Sequence, residues 1–276
     1  MSFMTRISNG WDLSKMSLAT IQKNKTLLIF PVLSTLSMIM IIGSFVGGGF
    51  FFFGDEIEAM MQSESSNITG YAGVFLFYLV NYFIVIFFNT ALMHCAVKTF
   101  YDEEATLADG ISFSMSRIVK ILGWTIVSAT IGIILEVIAN TGKIGQIVTA
   151  FMGIAWSLLT FFVVPILVFQ DKGVIESIKD SGRMMKDKWG ESLTMNMSFG
   201  LFQILGVILA AGLGFLIAKI NLVLGIAVAV VAAVLVLTVF AAAKTIFIAA
   251  VYNQVNGRPT GTFDATVLDS AFIRKN

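Results

Sequence analysis

Acidic side chains are the residues of this sequence most capable of metal or acid–base chemistry. Asp102, Glu103 and Glu104 are consecutive, and Asp109 follows five residues later. Carboxylate oxygens of this kind can hold a divalent cation, but such a run more often forms a solvated surface or the first turn of a helix. We favour the second interpretation and predict no bound metal and no cofactor. With one histidine and one cysteine, the chain also lacks the ligands for a zinc site built mainly from those residues.

Four polar residues within apolar segments are candidate intramembrane contacts: Asn81, Asn89, His94 and Glu136. The two asparagines are eight residues apart, about 80° around a helix, so they could bridge helices or line a polar path. We favour bridging. His94 lacks an obvious carboxylate partner in its segment, which argues against a proton relay. We expect Glu136 to reach water or to pair with Lys143.

Motifs for nucleotide binding or hydrolysis are missing from the sequence. It contains no P-loop, no G-x-S-x-G, no H-E-x-x-H and no dinucleotide-binding fingerprint. The basic residues are spread along the chain and are not interleaved with aromatic residues, so we expect no nucleic-acid partner. The sequence therefore predicts a protein that is not an enzyme.

Six long apolar segments must position these residues. The chain is 57% hydrophobic and 13% charged, with a mean hydropathy of +0.88, whereas soluble domains carry about 25% charged residues. About 20 apolar residues cross a bilayer as a helix, which predicts an all-α polytopic membrane bundle. We expect the first segment to be a retained anchor and not a cleaved signal peptide. The predicted transmembrane helices are Thr26–Phe53, Tyr71–Thr99, Val119–Ile138, Gln146–Phe169, Leu193–Ala218 and Leu222–Val251.

The positions of Lys and Arg predict the orientation of the bundle. If the N-terminus is cytoplasmic, sixteen of the eighteen Lys and Arg residues lie in cytoplasmic segments. Such an excess is the usual signature of the cytoplasmic side. We therefore expect a multi-pass protein of the plasma membrane with both termini in the cytoplasm.

The polar stretch "GVIESIKDSGRMMKDKWG" at residues 173–190 predicts an amphipathic helix lying in the plane of the membrane. In a helix, an apolar stripe of Val174, Ile178, Met185 and Trp189 would enter the acyl boundary. Cations on the other sides would meet anionic lipid headgroups, each contributing about 1 kcal/mol. The candidate headgroup contacts are Lys179, Arg183, Lys186 and Lys188.

Two further stretches have the same amphipathic pattern and also precede a pair of spans. One contains Ile7, Trp11, Leu18 and Ile21, and the other contains Leu107, Ile111, Met115, Ile118 and Leu122. The chain therefore divides into an in-plane helix followed by a two-helix hairpin, three times. We predict a single membrane domain over residues 1–252, with possible repeats at 1–100, 101–170 and 171–252, and a short cytoplasmic tail at 253–276.

Three passages carry a resemblance to a group of uncharacterised prokaryotic six-span membrane proteins. They are "GWDLSKMSLATIQKNKTLLIFP", "VVPILVFQDKGVIESIKDSGRMMKDKWGESL" and "AVYNQVNGRPTGTFDATVLDSAF". The chain is also distantly similar, in the same general way, to the glycerophosphodiester phosphodiesterase membrane domain, but without its catalytic domain. The resemblance implies a six-span bundle and no particular activity. One departure from the pattern is Gln170-Asp171, where the group would have a glutamate.

These patterns favour a membrane module that binds anionic lipid headgroups or a partner protein. The alternative is a transporter or an oligomeric channel or pore, because hairpins rich in glycine permit a polar route. A homo-oligomer or a membrane-protein partner fits either function. An intramembrane enzyme is the weakest hypothesis, since the acidic run and Glu136 are expected on opposite sides of the membrane.

Overall fold

A computed structural model describes residues 3–62, 68–189, 195–264 and 268. These residues form helices and no strand, which confirms the all-α prediction. In chain order the helices are α1 (Phe3–Lys23), α2 (Ile29–Gln62), α3 (Ile68–Phe100), α4 (Leu107–Ser116), α5 (Ile118–Ala139), α6 (Lys143–Leu159), α7 (Val163–Phe169), α8 (Val174–Trp189), α9 (Met195–Ala218) and α10 (Leu222–Val255). A short 3-10 helix, Lys25–Leu28, joins α1 to α2.

Within the described residues, five helical segments are long and apolar enough to cross a membrane. They are Lys25–Phe45, Phe75–Phe100, Ile118–Ala139, Lys143–Phe169 and Leu222–Val255. A shorter apolar helical stretch, Phe202–Ala218, lies inside the predicted fifth span. The helices therefore support a polytopic membrane protein.

The fourth span is interrupted, where the sequence predicted one continuous helix over Gln146–Phe169. Helix α6 ends at Leu159 and α7 begins at Val163. Pro165 explains the break, because its ring clashes with the carbonyl of the residue four positions earlier and it has no N–H to donate. The interruption lies one turn before the proline, as this mechanism requires.

Contacts group the chain into two compact units. The first unit contains residues 1–32, 91–113 and 183–276, and the second contains residues 33–90 and 114–182. In the first unit, α1 packs against α9 and α10. The tail continues this packing, since Thr262 Oγ1 donates to Met16 O at 3.1 Å and the Phe263 ring lies 6.0 Å from the Phe100 ring.

Small residues bring α9 and α10 close together. A Cβ atom added to Gly214 would lie 2.4 Å from the Cβ of Ala229, and one added to Gly225 would lie 2.4 Å from the backbone of Ala218. As residue numbers rise along α9 the partners fall along α10, so the two helices run antiparallel. Glycine is required at both positions because any side chain would force the backbones apart.

The second unit is built around α3, α5, α6 and α7. Helices α5 and α6 pack together, with the rings of Trp124 and Trp156 stacked at 6.0 Å. The end of α4 joins this unit through Ser114, whose Oγ donates to Phe87 O at 2.9 Å. The buried Ser114 hydroxyl therefore has a carbonyl partner, as buried polar groups usually do, whereas the buried Thr90 Oγ1 of the same unit has none among the described residues.

Candidate functional site

Helix α8 buries a face of small hydroxyl residues. Ser177 and Ser181 are fully buried and Met185 is nearly so, and the three residues follow one another at steps of four. The predicted apolar stripe lies beside this face: Val174 and Ile178 are partly exposed, and Met185 belongs to both. The protein-facing side of α8 is therefore more polar than the sequence pattern indicated.

Ser181 attaches α8 to the interrupted span. The backbone N–H of Phe162 lies in the break between α6 and α7, and it donates to Ser181 Oγ at 3.0 Å. In an unbroken helix this N–H would bond to Leu158 O, four residues earlier. The Pro165 break thus frees a buried donor, and a serine from the next helix satisfies it. Ser177 is different, because its Oγ donates within its own helix to Gly173 O at 2.8 Å.

The exposed side of α8 carries cations. Lys179, Arg183 and Lys186 are all exposed, and their spacings of four and three place them within about 60° of one another on a helix. This direction is about 180° from Ser177 and Ser181. The side chain of Lys188, the fourth predicted headgroup contact, and that of Trp189 lie outside the described residues.

Helices α1 and α4 share this organisation with α8. Each buries a serine completely, Ser17 in α1 and Ser114 in α4. Each also leaves part of its predicted apolar stripe uncovered, with Trp11 46% and Met115 52% exposed. In these helices a small hydroxyl residue faces the protein while part of the apolar stripe is exposed; other stripe residues, Ile21 and Met185, are buried.

A cluster of two cations and one carboxylate joins the start of α5 to the end of α7; we call it the second junction, formed by Arg117, Lys120, Val168 and Asp171. Lys120 Nζ contacts Asp171 Oδ1 at 2.7 Å, and Arg117 Nε lies 3.9 Å from the same oxygen. Arg117 Nε also donates to Val168 O at 3.2 Å. The hydrogen bond and charge of Lys120, and then the charge of Arg117, hold the pKa of Asp171 below its usual value.

A similar contact, the first junction, joins the end of α1 to the end of α3. Lys23 Nζ contacts Asp102 Oδ1 at 2.7 Å, and Asn24 Nδ2 donates to Ala105 O at 3.0 Å. An open cleft of about 370 Å³ lies here, with Glu103 and Glu104 also in its lining. Among the described residues, no three His, Cys, Asp or Glu side chains converge in a way that could hold a metal ion.

Asp109, the fourth acidic residue of the predicted run, stabilises the start of α4. Its Oδ2 accepts from the Thr106 N–H at 2.9 Å and from Lys98 Nζ at 3.1 Å, while its own N–H donates to Thr106 Oγ1 at 3.2 Å. This reciprocal arrangement is a capping box. The Thr106 N–H, followed by Lys98, lowers the pKa of Asp109 to about 2. These contacts give the carboxylate a structural role.

The four predicted intramembrane residues have different local surroundings. Asn81 Nδ2 donates to Phe77 O in its own helix at 2.7 Å, and its Oδ1 is buried without a hydrogen-bond partner in the described part of the chain. Asn89 is half-buried in the same helix, and Glu136 is exposed. The His94 ring stacks on the Phe113 ring at 4.1 Å. Bridging by the asparagines stays a prediction.

The second junction was missed by the sequence analysis, although one signal for it was present. Asp171 stands directly after a span and was noticed only as a departure from an expected glutamate. Its partners Arg117 and Lys120 are 54 and 51 residues away in the chain, so no local spacing joins them. Ser181 gave no signal, because serine on a basic helix reads as a solvent-facing residue.

Comparison with known proteins places the chain in one family. Residues 68–262 match the model of a family of unknown function (DUF6159). No curated protein and no solved structure matches the chain. None of these findings supports the similarity to the glycerophosphodiester phosphodiesterase membrane domain.

Proposed function

The chain belongs to this family of unknown function, and we propose that it is a non-enzymatic multi-pass membrane protein whose helix α8 binds anionic lipid headgroups. One observation carries the proposal: α8 is attached to the protein through Ser181, with Ser177 buried on the same face, and presents Lys179 and Lys186 on the opposite, exposed side. An amphipathic helix held at the end of a span in this way lies at the depth of the lipid headgroups.

The attachment of α8 favours membrane binding by this helix over the alternative that residues 173–190 are a solvated linker. A free basic segment would lose conformational entropy on binding a membrane, whereas Ser181 already holds α8 against Phe162. Each Lys or Arg near an anionic surface contributes about 1 kcal/mol. Lys179 and Lys186 together would contribute about 2 kcal/mol, or roughly a thirtyfold preference for anionic lipid.

Lipid retention by the purified full-length protein tests this proposal. We expect Lys179→Gln with Lys186→Gln to reduce the preference for phosphatidylglycerol over phosphatidylcholine with the same acyl chains. The matched control is Lys143→Gln with Lys219→Gln, which removes two exposed lysines that we place on the other side of the membrane. Native mass spectrometry counts the lipids retained. An equal loss of preference in the two double variants would refute a role for α8.

We further propose that the protein lies in the plasma membrane with both termini in the cytoplasm. The support is the excess of Lys and Arg on one side, which includes the exposed face of α8. A Cys95→Ala background allows single cysteines at positions 183 and 143, both of which are exposed. An impermeant thiol reagent added to intact cells should label position 143 and leave position 183 unlabelled until the cells are opened. Labelling of position 183 in intact cells would contradict the proposed cytoplasmic location of α8.

A further inference from the structure

We propose that Arg117 and Lys120 form a second headgroup site, which holds the phosphate of one anionic phospholipid, and that Asp171 occupies the place of the phosphate when no lipid is bound. The inference rests on the proposed function in taking anionic lipid as the ligand. The second headgroup site uses different helices and different residues from the surface of α8, so an experiment can refute either proposal without refuting the other.

The charges of the second junction favour an anionic ligand. Arg117 and Lys120 both contact a single carboxylate oxygen, Asp171 Oδ1. The two cations are half-buried, with the Lys120 side chain 27% exposed, whereas the Asp171 side chain is 71% exposed. Two sheltered cations that share one exposed carboxylate are arranged as they would be around a phosphate, whose oxygens accept several charge-assisted hydrogen bonds.

An apolar face, interrupted at its middle by the exposed Thr130, runs along α5 from the end that carries these cations. Its members recur at helical spacing and lie within about 60° of Val119 around the helix axis. The exposed apolar residues are Val119, Leu122, Ile126, Ile134 and Val137. From Val119 to Val137 the face is about 27 Å long, which matches the ~30 Å hydrocarbon core of a bilayer. A lipid with its phosphate at Lys120, which lies about 100° around the helix from Val119, would lay its acyl chains beside the part of this face that falls in its own leaflet.

The first junction shows why the second is the better phosphate site. Its ion pair has the same length, 2.7 Å between Lys23 and Asp102. Its surroundings carry the opposite charge, because Glu103 and Glu104 line the same cleft. A phosphate at the first junction would meet three carboxylates and one lysine, and like charges would repel it. The two junctions thus share a contact geometry but differ in the ligand they can accept.

Asp171 is well suited to being displaced. Ion pairs with an exposed partner are weak, because water and salt screen them and the side chains lose rotational freedom on pairing. Asp171 also has a left-handed backbone, with φ of 58°, a conformation that non-glycine residues seldom adopt. The phosphodiester of phosphatidylglycerol carries the same single negative charge as this carboxylate, so it can replace Asp171 beside Lys120 and accept the same charge-assisted hydrogen bond.

Opposite substitutions at one ion pair test the inference. The full-length protein in detergent micelles is titrated with phosphatidylglycerol, with phosphatidylcholine of the same chains and with inorganic phosphate. We expect Lys120→Gln to weaken phosphatidylglycerol binding about tenfold and Lys120→Arg to restore it. Asp171→Asn removes the competing carboxylate and should strengthen binding by up to about fivefold. Lys23→Gln, the same change at the first junction, is the matched control and should have no effect.

The outcomes separate this inference from the proposed function. Loss of binding in Lys120→Gln with an unchanged melting temperature supports the second site, even if the α8 variants bind normally. Loss only in the α8 variants leaves the proposed function standing and overturns this inference. Inorganic phosphate that binds as tightly as phosphatidylglycerol would also overturn it, because the α5 face would then contribute nothing. Weaker binding in Asp171→Asn would show that the carboxylate belongs to the site and does not compete with the ligand.

Discussion

Replacement of Ser181 by alanine should destabilise the protein more than any other removal of a hydroxyl from α8. Its Oγ accepts the Phe162 N–H at 3.0 Å, and both residues are fully buried. Alanine leaves the helix intact but removes the Ser181 Oγ acceptor from this N–H. A buried donor that loses its partner costs about 1–3 kcal/mol. For a chain of this size, each kcal/mol lowers the melting temperature by about 2–4 °C.

Ser177→Ala is the matched control for this prediction. Ser177 is on the same helix and equally buried, but its Oγ donates to Gly173 O. That carbonyl keeps a second donor, the Ser177 N–H at 2.9 Å, so no group is left unsatisfied when the hydroxyl is removed. Serine that bonds back to its own helix slightly disfavours the helix. We therefore expect Ser177→Ala to be neutral or slightly stabilising.

Thermal unfolding of the purified protein in detergent micelles measures the difference. Tryptophan fluorescence reports on all four tryptophans, of which Trp124 and Trp156 lie in the second unit, and a thiol-reactive dye follows exposure of the buried Cys95 in the first. Equal melting temperatures for Ser181→Ala and Ser177→Ala would refute the reasoning. A double-mutant cycle is sharper: with Pro165→Ala the Phe162 N–H can return to its own helix, so Ser181→Ala should then cost less.

The remaining predictions concern packing and pH. Gly214→Ala should lower the melting temperature, because the new Cβ would lie 2.4 Å from the Cβ of Ala229 and overpacking costs about 1–3 kcal/mol. The control is Gly212→Ala, which should not lower the melting temperature, since a Cβ at Gly212 would have no atom within 4 Å. Asp109 has a pKa lowered to about 2 from 3.8, so its contribution to stability is present at neutral pH and is lost as the pH falls from about 4 towards 2. Asp109→Asn should flatten the pH dependence of the melting temperature in that range, and an unchanged profile would contradict the assignment.

The spans were predictable because lipid sets a strict requirement. About 20 apolar residues are needed to cross the hydrocarbon core, and every backbone group must be bonded within the segment. The break before Pro165 was not predicted, because a proline near the end of a span removes only one hydrogen bond in principle. Whether the freed Phe162 N–H is tolerated depends on a serine nineteen residues later, and no local pattern contains that information.

The faces of α8 were predictable only in part. Periodicity separates the cations from Met185, but it makes no prediction for Ser177 and Ser181. A hydropathy pattern treats every hydroxyl as water-seeking, whereas a buried hydroxyl is satisfied as soon as one partner is in reach. The junction contacts of Asp102 and Asp171 depend on chain folding over tens of residues, so their partners could not be read from spacing.

The ends of three spans share one backbone conformation, and the predicted division into three hairpins stays a prediction. Helices α3, α7 and α10 are each followed, two residues after the last helical residue, by a residue in the left-handed conformation: Asp102 (φ 57°), Asp171 (φ 58°) and Gly257 (φ 65°). After α3 and α10 the turn is closed by the same pair of backbone hydrogen bonds, from residues 102 and 103 in one case and 257 and 258 in the other. This pair is the Schellman motif.

The second hairpin departs from this pattern at the point where function is proposed. The Thr99 and Gln254 carbonyls accept the N–H of the left-handed residue, but the equivalent carbonyl after α7, Val168 O, accepts Arg117 Nε. Arg117 therefore has a structural task that Lys120 does not have, which is why substitutions at Lys120 are the cleaner test of headgroup binding. Glycine at 257 brings no carboxylate to the third turn. Of these three turns, only the one after α7 places an acid beside two cations, so this arrangement is not a general consequence of how these spans end.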